Sequence, residues 1–208
     1  MRSCGESTGV DAAPRFTHLG TMSTFDTLYA APLPALETGR FVLRAFRETD
    51  APTVEALLAD PEIARTTLTI PHPYPPGSAT PWIATHAESW REGKGGTWAI
   101  TRPGELLGTI SLQITRAHGR AELGYWVART EWGKGIATEC VRRLIAFAFD
   151  ELALHRVQAH HFVENPASGR VMTRAGMRAE GTRRAAFFKA GVPHDVVEYA
   201  ILRTDTRS

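Results

Sequence analysis

The segment "EWGKGIAT" places two glycines at the start of a long apolar stretch. A helix N-terminus carries backbone N–H groups without partners inside the helix, together with the positive end of the helix dipole, so it attracts phosphate. Glycine there lets an anion approach the backbone closely. The groups that could face one diphosphate are the amides of Gly133, Lys134, Gly135, Ile136 and Ala137 and the hydroxyl of Thr138. A simple glycine-assisted turn is the competing interpretation.

Two familiar phosphate-binding loops do not fit this segment. A Walker loop has its Lys-Ser/Thr after the second glycine, whereas Lys134 lies between Gly133 and Gly135. A dinucleotide-binding fingerprint needs a third glycine within a parallel βαβ unit, but the strands predicted before this loop are antiparallel. The segment is therefore a candidate anion site of another kind.

Length and composition favour one globular domain. The chain has 208 residues, of which 43% are hydrophobic, and this is enough for a full core. Its 24 basic and 22 acidic residues leave a net charge of +2 and form no block of like charge. This argues against nucleic acid and against a membrane surface as partners.

The remaining bulk features point to a reducing compartment. Cys4 and Cys140 are too few for a disulfide framework or a four-thiolate zinc site, and His160 and His161 are adjacent, on opposite faces of a predicted strand, so we expect no metal. Cys140 falls on the apolar face of a predicted helix, which argues against a nucleophile. No apolar run reaches the roughly 18 to 20 residues of a membrane span, and no signal peptide is evident. We expect a soluble, cytoplasmic protein.

The N-terminal region differs from the rest of the chain. Residues 1–33 mix Gly, Ser, Thr, Ala and Pro without a sustained period, so they are predicted to be a flexible leader, with Met22 as an alternative first residue. The domain is predicted to cover residues 34–205.

Hydrophobic periodicity predicts a mixed α/β domain. "RFVLRAF" alternates as a strand, "RETDAPTVEALLAD" and residues 79–91 are predicted helices, and the proline-rich "TIPHPYPPGS" between them is a stiff loop. "TWAITR" and "ELLGTISLQI" form a hairpin across "PG", "RAELGYWVA" adds a strand, and a helix of about 17 residues follows the glycines. The strand "HRVQAHHFV", the helix "NPASGRVMTRAG" and two strands around a Gly-Val-Pro turn complete the order.

Taken together, these segments resemble the GCN5-related N-acetyltransferase (GNAT) family, in its ribosomal-protein N-terminal acetyltransferase (RimJ/RimL-like) subgroup. The resemblance spans residues 33–203, from "LETGRFVLRAFRETD" through "ELGYWVARTEWGKGIATEC" and "HHFVENPASGRVMTRAGMRAEG" to "FFKAGVPHDVVEYAIL". The family loop reads Gln/Arg-x-x-Gly-x-Gly/Ala, and here Thr130 departs from its first position. The resemblance implies an α/β fold of the α+β kind, with a mixed, mostly antiparallel sheet, flanking helices and a V-shaped splay between central strands.

The resemblance also implies acetyl-CoA as cosubstrate. The glycine loop would hold its pyrophosphate, and pantetheine would pair like an extra strand with the backbone of Trp126, Val127 and Ala128. In the family's "NxxS" element, Asn165 would contact pantetheine and Ser168 would protonate the departing thiolate. From residue type alone, Asn165 and Ser168 are helix-capping residues.

Several further residues are assigned to the acceptor side by the same resemblance. Related enzymes keep a carboxylate on the strand of Glu122, which makes it the first candidate for the base, with a solvated strand carboxylate as the alternative. In the subgroup a glutamate proposed as base can occupy the position of Phe187, so that base is absent here, and either Glu122 or a water chain serves or the substrate differs. The acceptor site would be lined by His72, Tyr74 and Phe187. For the loop that contains His72 and Tyr74, a rigid surface loop is an equal alternative.

The sequence thus predicts an N-acetyltransferase in which an amine attacks acetyl-CoA directly in a ternary complex. The preferred acceptor is a protein N-terminal α-amine, whose pKa of about 7.7 to 8.0 leaves it partly neutral at pH 7. An aminoglycoside or polyamine is the alternative. Such cationic substrates usually call for an acidic acceptor pocket, whereas "TIPHPYPP" contains no carboxylate, which favours a peptide. An acyl-CoA-binding module without catalysis is the third hypothesis. A homodimer is compatible with the sequence.

Overall fold

The computed structural model describes residues 28–206, which build one eight-stranded sheet and its flanking helices. The strands are β1 (Leu36–Glu37), β2 (Val42–Ala45), β3 (Gly95–Arg102), β4 (Glu105–Thr115), β5 (Arg120–Val127), β6 (Arg156–Phe162), β7 (Arg178–Lys189) and β8 (Val192–Leu202). The helices are α1 (Ala51–Leu58), α2 (Pro61–Thr66), α3 (Ala79–Ala84), α4 (His86–Arg91), α5 (Ile136–Asp150) and α6 (Pro166–Arg174). Within this range no helix is both long and apolar enough to cross a membrane.

The sheet is antiparallel except at its centre. Its strand order is β1-β2-β3-β4-β5-β6-β8-β7, and among the described strands only β5 and β6 pair in parallel. That pairing runs from Arg120↔Arg156 to Glu122↔Gln158 and then stops, although β5 continues to Val127 and β6 to Phe162. The two strands therefore separate in a V, and the mixed, mostly antiparallel sheet with a central splay is confirmed.

Side chains alternate along β5 and enter two separate cores. Ala121, Leu123 and Val127 belong to a core that includes the buried face of α5. Trp126 belongs to a second core, which contains buried residues of α1, α2 and α3. Helices thus cover both faces of the sheet, and the gap between β5 and β6 runs from one layer to the other.

Most predicted elements are present, with differences at their ends. α5 has 15 residues, slightly fewer than predicted. The helix predicted over residues 79–91 is interrupted at Thr85, whose hydroxyl bonds to the Trp82 carbonyl at 2.7 Å and competes with the helical ladder. The predicted Gly-Val-Pro turn is wrong. The last hairpin turns at Ala190 and Gly191, whose φ values of 48° and 80° fit a tight hairpin turn, and β8 has already begun at Val192.

The predicted leader lies only partly within the described residues. Residues 1–27, including Met22, are outside them. Nearer the domain, Tyr29 is buried against Trp90, whose indole N–H donates to the Ala31 carbonyl at 2.9 Å. This end of the leader packs on the domain, while the boundary at residue 34 stays a prediction.

Substitution of Phe147 tests the packing of the core that includes α5. It is fully buried on α5 and contacts Trp90 and Trp98 at ring-centroid distances of 6.3 and 5.7 Å. We expect Phe147→Ala to lower the free energy of unfolding by about 3–5 kcal/mol, because a cavity replaces the ring. Urea denaturation measures this loss.

The matched control is Phe188→Ala, since Phe188 is 71% exposed on β7. We expect a change within about 0.5 kcal/mol for this variant. Equal losses in the two variants would show that the two rings do not differ in burial as described.

Candidate active site

The gap between β5 and β6 opens into a cleft of about 1080 Å³. Its walls come from β4, β5 and β6, from the first turn of α5, from α6 and from the loop before α3. Small-molecule sites typically measure about 300 to 1,000 Å³, so the cleft is large enough for an extended ligand.

One end of the cleft is the glycine loop that precedes α5. Gly133 and Gly135 have φ values of 78° and 79°, a left-handed conformation that favours glycine. A Cβ on Gly133 would meet no protein atom within 4 Å, so open space faces this backbone. The predicted residues that line the cleft here are Gly133, Gly135, Ile136, Ala137 and Thr138. The loop can therefore present unpaired amides at the positive end of a 15-residue helix to an anion.

Ion pairs of Glu131 fix the position of the glycine loop. Glu131 is buried and accepts from Lys134 at 2.8 Å and from Arg102 at 3.2 Å. These contacts occupy the Lys134 ammonium, and Lys134 is not among the residues that line the cleft, so its predicted role in binding rests on its amide alone. Glu131 was not among the predicted site residues, although its i,i+3 spacing to Lys134 could have indicated the ion pair.

A second anchor reaches the loop from the start of the domain. Arg40 donates to the Lys134 carbonyl at 3.3 Å and forms an ion pair with Glu139, in the first turn of α5, at 2.7 Å. The Thr38 hydroxyl donates to the same carboxylate at 2.7 Å. The segment between β1 and β2 thus fixes the helix N-terminus in place.

The end of β5 departs from expectation at one residue. Val127 lines the cleft, but the Ala128 N–H donates to the Leu107 carbonyl at 2.7 Å and the Ala128 carbonyl accepts from the Glu131 N–H at 2.9 Å. These groups are therefore not free for the contact with pantetheine that was expected at Ala128. Hydrogen-bonding direction alternates along a strand, so the amides of Tyr125 and Val127 point away from β4 into the gap. The Trp126 backbone, which was also predicted to contact pantetheine, faces Thr109 of β4 instead.

Ser168 meets a partner that the sequence analysis did not include. Its hydroxyl lies 2.7 Å from the Tyr125 hydroxyl, and both residues line the cleft. Burial raises the pKa of Tyr125 to about 12, so the phenol stays protonated at neutral pH. Asn165 caps α6 by accepting from the Ser168 N–H at 3.3 Å and also donates to the Thr66 carbonyl at 3.4 Å. The alternation of β5 alone would have shown that Tyr125 faces the α5 side.

Glu122 is paired, not free. Its Oε1 lies 3.1 Å from His160 Nδ1, and its Oε2 accepts from Gln158 Nε2 at 3.3 Å. The hydrogen bond from His160 is the main cause that lowers the pKa of Glu122 below its ordinary value. The Phe187 ring stacks on His160 with centroids 4.8 Å apart. All three residues around this contact, Glu122, His160 and Phe187, line the cleft.

The two candidate proton-handling pairs lie on opposite faces of the sheet. Tyr125 packs against the core that contains α5. Glu122 shares its face of β5 with Trp126, whose core contains α1 and α3. The cleft therefore connects a hydroxyl pair on one face with a carboxylate–imidazole pair on the other.

The proline-rich loop contributes one of its two predicted residues. Tyr74 lines the cleft and is half-buried, and burial raises the pKa of its hydroxyl. His72 precedes a cis Pro73, is exposed, and is not among the lining residues, so its predicted contact with the acceptor has no support in this arrangement.

A lysine joins the last hairpin to this side of the cleft. The Lys189 ammonium, at the end of β7, contacts the carbonyls of Ala64 and Thr67 at the end of α2. The same strand carries Phe187, so the contact helps to hold the part of the cleft lined by Tyr74, Glu122, His160 and Phe187, called the acceptor end below. Nothing in the sequence analysis had assigned Lys189 a role.

The described residues include neither a cysteine suited to act as a nucleophile nor a candidate metal site. Cys140 is fully buried, and burial raises the pKa of its thiol to about 12, which does not suit a nucleophile. Residues 28–206 contain no group of three or more His, Cys, Asp or Glu side chains arranged to hold a metal ion.

The family model for the acetyltransferase (GNAT) domain matches residues 40–178. The uncharacterized N-acetyltransferase YoaA of Bacillus subtilis (strain 168) is 32% identical over 173 residues, which cover 82% of this chain and 97% of that protein.

The names of two further relatives mention an acceptor. The putative ribosomal N-acetyltransferase YdaF of Bacillus subtilis (strain 168) is 36% identical over 135 residues, 62% of this chain and 74% of that protein. The spermidine N(1)-acetyltransferase of Vibrio cholerae is 32% identical over 100 residues, 48% of this chain and 58% of that protein.

Solved structures share the fold. A probable acetyltransferase superposes with a TM-score of 0.75 at 29% identity, covering 83% of this chain and 98% of its own. A ribosomal L7/L12 α-N-protein acetyltransferase in complex with coenzyme A also has a TM-score of 0.75, at 21% identity, covering 81% of this chain and 98% of its own.

Gly133 tests whether the loop binds the anion of the ligand. We expect Gly133→Ala to weaken coenzyme A binding by about tenfold, because the methyl group would enter the cleft and because the left-handed conformation, which costs an alanine about 1–2 kcal/mol, would be less populated in the free protein. Isothermal titration calorimetry measures the change in Kd.

Gly104→Ala is the matched control. Gly104 lies in the β3–β4 turn with a φ of 77°, and a Cβ there also meets nothing within 4 Å, so the backbone cost is the same without a ligand nearby. An unchanged Kd in Gly133→Ala, or an equal loss in Gly104→Ala, would remove the loop from the binding site.

Proposed function

The chain belongs to the acetyltransferase (GNAT) family and is an acetyl-CoA-dependent N-acetyltransferase, and we propose that its acceptor is the α-amine of a protein or peptide N-terminus. The observation that carries the proposal is the pairing of Glu122 with His160 at 3.1 Å in an acceptor end that also contains the aromatic rings of Tyr74 and Phe187. This end suits one cationic nitrogen with an apolar extension.

Acetyl-CoA supplies an acetyl group activated as a thioester, and the chain supplies its position. We assign the pyrophosphate to the amides from Gly133 to Ala137 and the pantetheine arm to the Val127 N–H and the Asn165 side chain. The open backbone at Gly133, the left-handed φ angles and the length of the cleft fit such a ligand. Holding amine and thioester together can contribute several kcal/mol to the rate.

Ser168 is assigned to protonation of the departing sulfur. Its hydroxyl, at 2.7 Å from the Tyr125 hydroxyl, has a neighbour that stays protonated and can replace the proton that Ser168 gives up. On the other face, the amine loses its proton to the pair formed by Glu122 and His160.

The charge of the acceptor end favours an acceptor with a single cation. The carboxylates that line the cleft are Glu122 and Glu131. Glu131 is already paired with Lys134 and Arg102, and Glu122 with His160. A polyamine carries several cations that call for several unpaired carboxylates, whereas an N-terminus carries one. Similarity to the putative ribosomal N-acetyltransferase agrees with this choice, and similarity to the spermidine N(1)-acetyltransferase makes a polyamine the second candidate.

An acceptor panel tests the proposal. We expect thiol release from acetyl-CoA to be stimulated by short peptides with free N-termini and not by the same peptides with acetylated N-termini, nor by spermidine or an aminoglycoside. Free thiol is measured over time. Stimulation by spermidine alone would replace the proposed acceptor with a polyamine, and binding of acetyl-CoA without stimulation by any amine would leave a binding module.

The hydroxyl pair is tested by Ser168→Ala and Tyr125→Phe. We expect Ser168→Ala to lower kcat by about 10²-fold, the lower end of the range for general acid catalysis, with a smaller loss in Tyr125→Phe. The Kd for coenzyme A should not change, because the Ser168 N–H still bonds to Asn165. Ser89→Ala, on α4 outside this cleft, is the control, and a full kcat in Ser168→Ala would exclude the assignment.

A further inference from the structure

The acceptor end contains a histidine that no family feature discussed above requires. His160 lies two residues beyond Gln158, the last residue of β6 that pairs with β5. It therefore stands at the inner end of the splay, where the two strands begin to separate. Its ring is about four-fifths buried, since its side chain is 19% exposed.

The contacts of the ring fix its orientation. Nδ1 faces Glu122 Oε1 at 3.1 Å, and one face of the ring stacks on Phe187 with an interplanar angle of 26°. A carboxylate at Nδ1 selects the tautomer that carries its proton there, which leaves the lone pair on Nε2. Among the described residues no hydrogen bond to Nε2 is found, and His160 lines the cleft.

We propose that His160 Nε2 is the catalytic base that takes the proton of the acceptor amine, and that Glu122 is a positioning residue that orients the imidazole and stabilises its protonated form. This inference rests on the proposed N-acetyltransferase function with an amine acceptor. His160 would thus take over the function of the glutamate that the resemblance leads one to expect at the position of Phe187. The Phe187 ring stacks on the His160 ring, so the histidine lies next to that position.

In the proposed reaction an ammonium acceptor loses two protons and the sulfur gains one. An ammonium acceptor gives one proton to His160 Nε2, which returns it to solvent, and the neutral nitrogen then forms a bond to the acetyl carbonyl carbon. The carbon–sulfur bond breaks, the nitrogen loses its second proton, and the sulfur takes one through Ser168. The products are an N-acetyl amide, a free thiol and one released proton.

The hydrogen-bonded carboxylate favours this division of roles. The bond from His160 lowers the pKa of Glu122, so the carboxylate stays ionised and is the weaker proton acceptor of the pair. An ionised carboxylate next to an imidazole stabilises the imidazolium that forms during the reaction.

Other charged groups lie near the ring. Glu198 is the register partner of His160 on β8, and it forms an ion pair at 2.8 Å with Arg183 of β7. His194, also on β8, stacks near Phe162 on the same side of β6. Glu122 is thus the acidic group in direct contact with the ring, and the charge of Glu198 is balanced by Arg183.

His160→Asn is the test, because the asparagine amide keeps a donor for Glu122 near the position of Nδ1 but offers no basic nitrogen. We expect kcat/KM for a peptide acceptor to fall by about 10²-fold or more at pH 7, with the Kd for coenzyme A unchanged. The deficit should narrow as the pH rises above the pKa of the acceptor amine, since the amine then arrives without its extra proton. His118→Asn, on an exposed turn, is the control and should match the wild type.

A second variant tests the positioning role. Glu122→Gln keeps His160, so we expect a smaller loss of kcat/KM and a shift of the rising limb of its pH profile to lower pH, because the imidazolium loses its anionic partner. A pH profile that keeps its position would leave Glu122 without this role.

Three outcomes separate the hypotheses. Full activity in His160→Asn, or a deficit that does not change with pH, would overturn the assignment of His160 while the wild type remains an N-acetyltransferase. A wild type that binds coenzyme A but releases no thiol with any amine would overturn the proposed acceptor chemistry itself, and the inference with it. A wild type that releases thiol with an amine, together with a pH-dependent deficit in His160→Asn, supports both the proposed function and the assignment of His160 as the base.

Discussion

The parallel contact between β5 and β6 ends after Glu122 and Gln158, and this short pairing determines where ligands can bind. Beyond it, the backbone of β5 is bonded to β4 on one side and has no strand on the other. Unpaired backbone groups inside a protein are costly unless a ligand or water satisfies them. The gap therefore favours an extended ligand with alternating donors and acceptors, and the pantetheine arm is such a ligand.

At the glycine loop, the groups available to an anion are backbone amides, because the nearby charged side chains are paired. The ammonium of Lys134 is bonded to the buried Glu131, and the guanidinium of Arg40 is bonded to Glu139. These charges are used within the protein to fix the loop. Arg170 and Arg174 of α6 also line the cleft, and the loop itself offers a ligand a set of oriented amides, which suit a compact anion at a defined position.

Much of the fold was predictable because it is encoded in local pattern. The alternation of β3 to β5, the apolar face of α5 and the glycine pair each lie within a few consecutive residues, and the resemblance to a family added the splay. The side-chain pairs were not predictable in the same way. Tyr125 and Ser168 are 43 residues apart, and Glu122 and His160 meet only because the parallel register places Glu122 beside Gln158. The free backbone at Ala128 was wrongly expected because the turn that follows it, which uses both of its polar groups, has no clear signal in the sequence.

Because the cleft passes through the sheet, the two sides of the reaction face different layers of the molecule. The hydroxyl pair lies toward α5, and the carboxylate–imidazole pair lies on the side of α1 and α3. On the proposed function, the thiol product leaves from the first side and the acetylated amine from the second. Neither product obstructs the exit of the other, so the architecture itself imposes no order of product release.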